Sequence, residues 1–106
     1  MKNVNNKMLF GYWNGMPYGQ VTDTFEEMRK YKNSINKDAV IKHIKSLDPL
    51  VACMASHDIF TGESITAGMY EDGPFCMPLD FLKYYEEYAI GIPKEYEEYL
   101  IRNGVK

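Results

Sequence analysis

Cysteine, positive charge and long apolar runs are all scarce in this chain, and each scarcity removes a class of protein. Two cysteines among 106 residues are too few for the disulfide framework of a small secreted domain, and reduced, intracellular thiols are the simpler reading. No apolar run approaches the roughly 20 residues of a membrane-spanning helix. The opening Met1-Lys2-Asn3-Val4-Asn5-Asn6-Lys7 is polar and leads into no signal-peptide apolar region, so a cytoplasmic location is expected. Twelve basic against fifteen acidic side chains leave a net charge of −3. That balance disfavours nucleic acid as the main partner, because phosphate neutralisation needs local positive charge. No Gly-x-Gly-x-x-Gly or Walker sequence is present to cradle a phosphate.

What the chain does contain is the composition of a folded domain. It is 45% hydrophobic and 25% charged, which separates it from disordered sequences. Its length suits one domain, since domains most often run to about 100–150 residues, and one core suffices at that size. The expectation is a single α+β domain over 1–106 that opens with an irregular stretch, about 1–22, rich in aromatic residues and glycine. Tyr12, Trp13 and Tyr18 lie there around the turn signal Asn14-Gly15.

Punctuation then marks the elements. Asp23 and Glu26 have capping-box spacing and open a short helix over 24–32. Asn36 caps a second helix over 37–47, on which Val40, Ile44 and Leu47 form a buried stripe; Asp48-Pro49 stops it. The apolar run Leu50-Val51-Ala52-Cys53-Met54 reads as a strand covered on both faces. A strand over 64–70, the turn Glu71-Asp72-Gly73 and a return strand over 74–77 read as a hairpin. Pro78 and Pro93 start two helices, over 79–89 and 94–102, with Asp80 and Glu95 at the positive end of each dipole. The predicted fold is a small, largely antiparallel sheet from residues about 50–77 with helices packed on it. Its core is expected to draw on Val40, Ile44, Leu47, Val51, Met54, Ile65, Phe81, Tyr85 and Leu100.

Two constellations carry chemistry. Cys76 as nucleophile with His57 as base and Asp58 beside it supplies the residue types of a thiol-dependent hydrolase. Against it, both cysteines sit in apolar runs, where a free thiol behaves as a small hydrophobe. Cys53 and His57 lack the second short-spaced pair that structural zinc requires, and His43 reads as a helix-edge histidine. Neither metal nor organic cofactor is expected. The other constellation is acidic and tyrosine-rich. Nine residues are tyrosine, and over 71–101 eight carboxylates face only Lys83 and Lys94. Tyrosine gives contact area with a hydroxyl handle, and acids around it steer a basic partner. Tyr84, Tyr99, Glu86, Glu87, Glu95, Glu97 and Glu98, with Trp13 from the N-terminal loop, are therefore the expected partner-binding residues. The expected partner is a basic protein. A symmetric homodimer is the other use open to the same tyrosines, and the paired glutamates otherwise read as solvated helix faces.

The hairpin and return strand over 70–77, the proline-started helix with its Tyr84-Tyr85 pair, and the following Ile92-Pro93-Lys94-Glu95-Tyr96 resemble the C-terminal part of small uncharacterised bacterial proteins. Asp58-Ile59-Phe60-Thr61-Gly62-Glu63 adds to the likeness. Some of those proteins look like immunity partners of secreted toxins. The resemblance covers about a third of the chain and implies a non-catalytic binding role, with no catalytic residue to carry over.

Overall fold

The computed structural model describes residues 1–105. In chain order the elements are β1 (Lys2–Val4), β2 (Lys7–Leu9), α1 (Phe25–Lys30), α2 (Lys37–Lys45), β3 (Leu50–His57), β4 (Ser64–Asp72), β5 (Phe75–Pro78), α3 (Leu79–Glu87) and α4 (Lys94–Arg102). The strands form one five-stranded sheet in the order β1-β2-β5-β4-β3, with helices packed on it, so the fold is α+β.

The sheet is wider than residues 50–77. Part of the stretch expected to be irregular is a hairpin. Val4 pairs with Lys7 across Asn5-Asn6, whose φ angles of 51° and 65° are those of a two-residue turn with both central residues left-handed. Asparagine tolerates that conformation. β2 then lies parallel to β5, with Met8 opposite Phe75 and Leu9 opposite Cys76. All other strand pairings are antiparallel.

Side-chain alternation sends successive residues to opposite faces. Phe10, Tyr70, Phe75 and Met77 join Met28, Val40, Ile44, Phe81, Tyr85, Tyr96 and Leu100 in one cluster under the helices. Leu9, Tyr12 and Cys76 form a smaller cluster with Tyr18 and Met69 on the other face. Tyr12 and Trp13 therefore plug opposite sides. Trp13 is buried, its ring 5.0 Å from that of Tyr84 and 5.6 Å from that of Phe25.

Local chemistry is close to expectation. Asn36 caps α2 by accepting from the Ala39 amide. At α1 the box is shifted by one residue: Thr24 is the N-cap and Glu27 closes it. Asp23 is buried instead, accepting from the Gly11 amide and the Thr22 hydroxyl. Among the expected core residues Val40, Ile44, Phe81, Tyr85 and Leu100 are buried. Leu47 lies beyond the end of α2 and, like Ile65, is half-buried. Val51 and Met54 are corrections: they are 64% and 44% exposed. β3 is the last strand of the sheet and its register to β4 shifts between Val51 and Ala55, and along its first half only Ala52 is half-buried.

Candidate interaction surface

The expected acidic, tyrosine-bearing surface does not assemble as one patch. Tyr84 and Trp13 are interior residues. α3 is covered on two sides, by the sheet and by an aromatic layer in which Phe25 and Phe60 lie 6.1 and 6.2 Å from Tyr84. The Tyr84 hydroxyl accepts from the Ile59 amide at 2.7 Å. Glu97 is buried as well. Its carboxylate accepts from the Ser34 and Ile35 amides at 2.7 and 3.0 Å and from the Asn33 side chain at 3.2 Å. Burial pushes its pKa up, but these donors outweigh burial and hold it below the ordinary value. Glu86 and Glu87 are exposed but paired, with Lys45 at 3.2 Å and Lys83 at 3.0 Å. That leaves Glu95 and Glu98 exposed on α4 and Tyr99 half-buried against Phe75, 5.3 Å between ring centres.

Cys76 and His57 are not brought together. Cys76 pairs with Glu71 and His57 with Ser64, which separates them by roughly 20 Å along β4 at about 3.3 Å per residue. Burial, then the Glu71 carboxylate, raises the Cys76 thiol above its ordinary pKa. Asp58 does not face His57 either. It accepts from the Phe60 and Thr61 amides and pairs with Lys83 at 2.9 Å. His43 is more than a helix-edge residue: its Nε2 is 2.9 Å from Asp72, which also accepts from the Tyr96 hydroxyl at 2.8 Å. No grouping of three or more metal-ligating side chains occurs among the described residues, and no helix is long and apolar enough to cross a membrane. The thiols differ in a measurable way. Cys53 is exposed on β3 and Cys76 is buried, so a thiol reagent should modify Cys53 rapidly in the native protein and Cys76 only on unfolding. Equal rates at both would contradict this packing.

The surface that does stand out is β3 itself. One side of the strand pairs with β4, and the other meets no strand among the described residues. Leu50, 61% exposed, joins Val51 and Met54 along it, and Ile59 and Phe60 follow in the next loop, also exposed. Beside the strand runs a groove of about 340 Å³ lined by Tyr12, Tyr18, Leu50, Val51, Met54 and Met69, among others. Its floor is held from within. Asp80 is fully buried and accepts from the Tyr18 and Ser56 hydroxyls, and the Tyr18 hydroxyl also accepts from the Gly68 amide at 3.2 Å. Desolvation, followed by the Asp80 contact, keeps the Tyr18 phenol protonated well above its ordinary range. Gly68 is required here, since a Cβ would lie 2.3 Å from the Leu50 carbonyl oxygen. Between Lys45 and Lys83 the chain has no lysine or arginine. Exposed Asp48 and Glu63 flank the two ends of β3.

Natural edge strands are usually blunted by lysine, proline or a covering segment. β3 has a register shift but no charged side chain between Asp48 and His57. The apolar run was visible in the sequence; its position at the sheet edge was not.

Comparison with protein-family models, with curated proteins and with solved structures finds no match for this chain.

Proposed function

We propose that this chain is a non-catalytic protein-binding module that takes up an extended, basic segment of a partner protein along the β3 edge. The observation that carries the reading is the exposed Leu50-Val51-Met54 edge, on a strand with no lysine or arginine of its own. Adding a strand to an open edge supplies main-chain hydrogen bonds, and alternate side chains supply specificity. Apolar side chains of the partner fit the groove beside Tyr12 and Tyr18, and its cations meet Asp48, since Glu63 already has Lys83 at 4.0 Å. A second copy of this chain is the poorer occupant, because its β3 would bring the same acids and no cation. A cytoplasmic setting, where both thiols stay reduced, accords with this role. So does the resemblance of the C-terminal third to small uncharacterised bacterial proteins, some of which look like immunity partners of secreted toxins; it also implies binding without catalysis.

Selection from a random peptide library on the immobilised chain tests the reading. Enrichment of sequences alternating apolar residues with lysine or arginine is expected. Val51→Lys should abolish their binding while changing stability by no more than about 0.5 kcal/mol, as exposed substitutions do. Enriched peptides indifferent to Val51→Lys would sink the proposal.

A further inference from the structure

A second cavity, of about 280 Å³, lies between the 29–37 segment and the connection from α3 to α4. None of its lining residues is on β3 or in the groove beside it. Lys32 and Lys37 line it together with Arg29, which is paired with Glu26 at 3.1 Å, and no carboxylate is in the lining itself, in a protein whose net charge is −3. Lys37 is half-buried. Its ammonium donates to the Tyr88 carbonyl at 3.0 Å and sits 4.7 Å from the centre of the Tyr85 ring. Neither Lys32 nor Lys37 forms an ion pair among the described residues. Desolvation lowers the Lys37 pKa, against the opposing pull of Asp38. A recessed cation whose direct contacts are a carbonyl and a ring, with no carboxylate in ion-pair contact, is incompletely compensated.

The walls are fixed. The Asn33 side chain donates to the Ile92 carbonyl at 3.0 Å and accepts from the Ile92 amide at 2.8 Å. The Gly91 amide donates to the Met28 carbonyl at 2.8 Å. A Cβ on Gly91 would stand 2.6 Å from Asn33 Oδ1 and 2.7 Å from Tyr31 Cβ, so only glycine lets the two segments meet this closely. The nearby Glu97 is not available to neutralise the cations, because its oxygens are engaged by residues 33–35.

We propose that this cavity binds a small organic oxyanion, its carboxylate or phosphate group held by Lys37 with Lys32, its compact apolar body against Tyr31, Ile35 and Ile90. The volume lies at the small end of ligand cavities, which run from about 300 to 1,000 Å³, so a single-ring ligand fits and a dinucleotide does not. The charge set selects an anion. The apolar floor selects one with a hydrocarbon body.

Titration of the isotope-labelled full chain with phenyl phosphate, benzoate and benzylamine, followed by backbone amide resonances, tests this. At millimolar concentration one of the two anions should move the Tyr31, Asn33 and Gly91 signals, and which one moves them identifies the head group. Lys37→Met keeps the apolar stem and should weaken binding about tenfold or more, the value of a charge-assisted hydrogen bond. Lys32→Gln, at an exposed position, should weaken it less and covers the case in which the Lys37 variant does not fold. Absence of shifts with both anions overturns the proposal. So does equal binding of benzylamine, which would mean an apolar hole indifferent to charge. Unchanged affinity in both variants overturns it too. A short oligonucleotide that binds more tightly, with shifts spreading to Lys30 and Lys94, would replace it with an extended polyanion surface.

Discussion

Phe81→Ala should cost about 3–5 kcal/mol of folding free energy, the range for truncating a buried aromatic side chain. Phe81 is fully buried at the centre of the helix-covered face. Its ring lies 5.2 Å from that of Phe10 at an edge-on 82° and 5.5 Å from that of Tyr85, with Trp13 at 6.5 Å. It therefore joins α3 to the N-terminal segment that holds Phe10 and Trp13, far away in sequence. The backbone closes over it as well, since a Cβ on Gly11 would come within 2.9 Å of Phe81 Cδ1. That tight fit leaves little room for collapse around the missing ring. Denaturant unfolding monitored by circular dichroism measures the cost. Leu47→Ala, at a half-buried position past the end of α2, is the internal control and should cost less than half as much. Equal losses would show that the centre of the core has been placed wrongly.

Glu97→Ala should cost about 2–4 kcal/mol at neutral pH, because it strands donors that water only partly recovers. The carboxylate ties the 33–35 segment to α4 through two main-chain amides and two side chains. The pH dependence follows from the depressed pKa of Glu97 and from that of Asp58. In Asp58 burial acts upward, and the Lys83 hydrogen bond with the Phe60 and Thr61 amides pulls further down. A carboxylate held lower in the folded than in the unfolded state stabilises fully above its unfolded pKa, and that contribution disappears as pH falls through the folded one. Stability of the native chain should therefore decline as pH drops below about 4.5, the ordinary glutamate value. Glu97→Gln should flatten that decline. An acid limb identical in the two proteins would mean that Glu97 is not the anchor of this segment. The same variant bears on the cation-lined cavity, whose wall is the tethered segment.

The charge arrangement connects the two proposed sites. Arg29, Lys30, Lys32, Lys37 and Lys94 border the cavities at the 29–37 segment, whereas the β3–β4–β5 part of the sheet has carboxylates and no lysine or arginine. Two surfaces of opposite sign suit two ligands of opposite sign, and steering toward each depends on ionic strength. Glu95 and Glu98 are what remains on α4 of the acidic surface read from the sequence. In the proposed reading the strand edge supplies the contact area that the buried tyrosines do not provide.

The sequence by itself determined the features governed by a few neighbouring residues. The Asn36 cap, the proline starts at 78 and 93, the hairpin at Gly73 and the α4 span of Lys94–Arg102 follow from capping and turn chemistry within one turn of chain. The Val40/Ile44 and Phe81/Tyr85 stripes follow from helical periodicity, and the α+β class follows from the order of the elements. Tertiary structure decided what remote segments cover. Tyr84 and Tyr99 stand on similar acidic, tyrosine-rich helices, yet the 58–60 loop buries the former and Tyr99 stays at a rim. Glu97 reads as a solvated acid until the 33–35 segment turns its amides toward it. An apolar run such as 50–54 looks alike at the centre or the edge of a sheet, because alternation and propensity describe a strand and not its neighbours. The β1–β2 hairpin adds beside β5 and not beside β3, and that long-range choice is what leaves the candidate surface at the sheet edge.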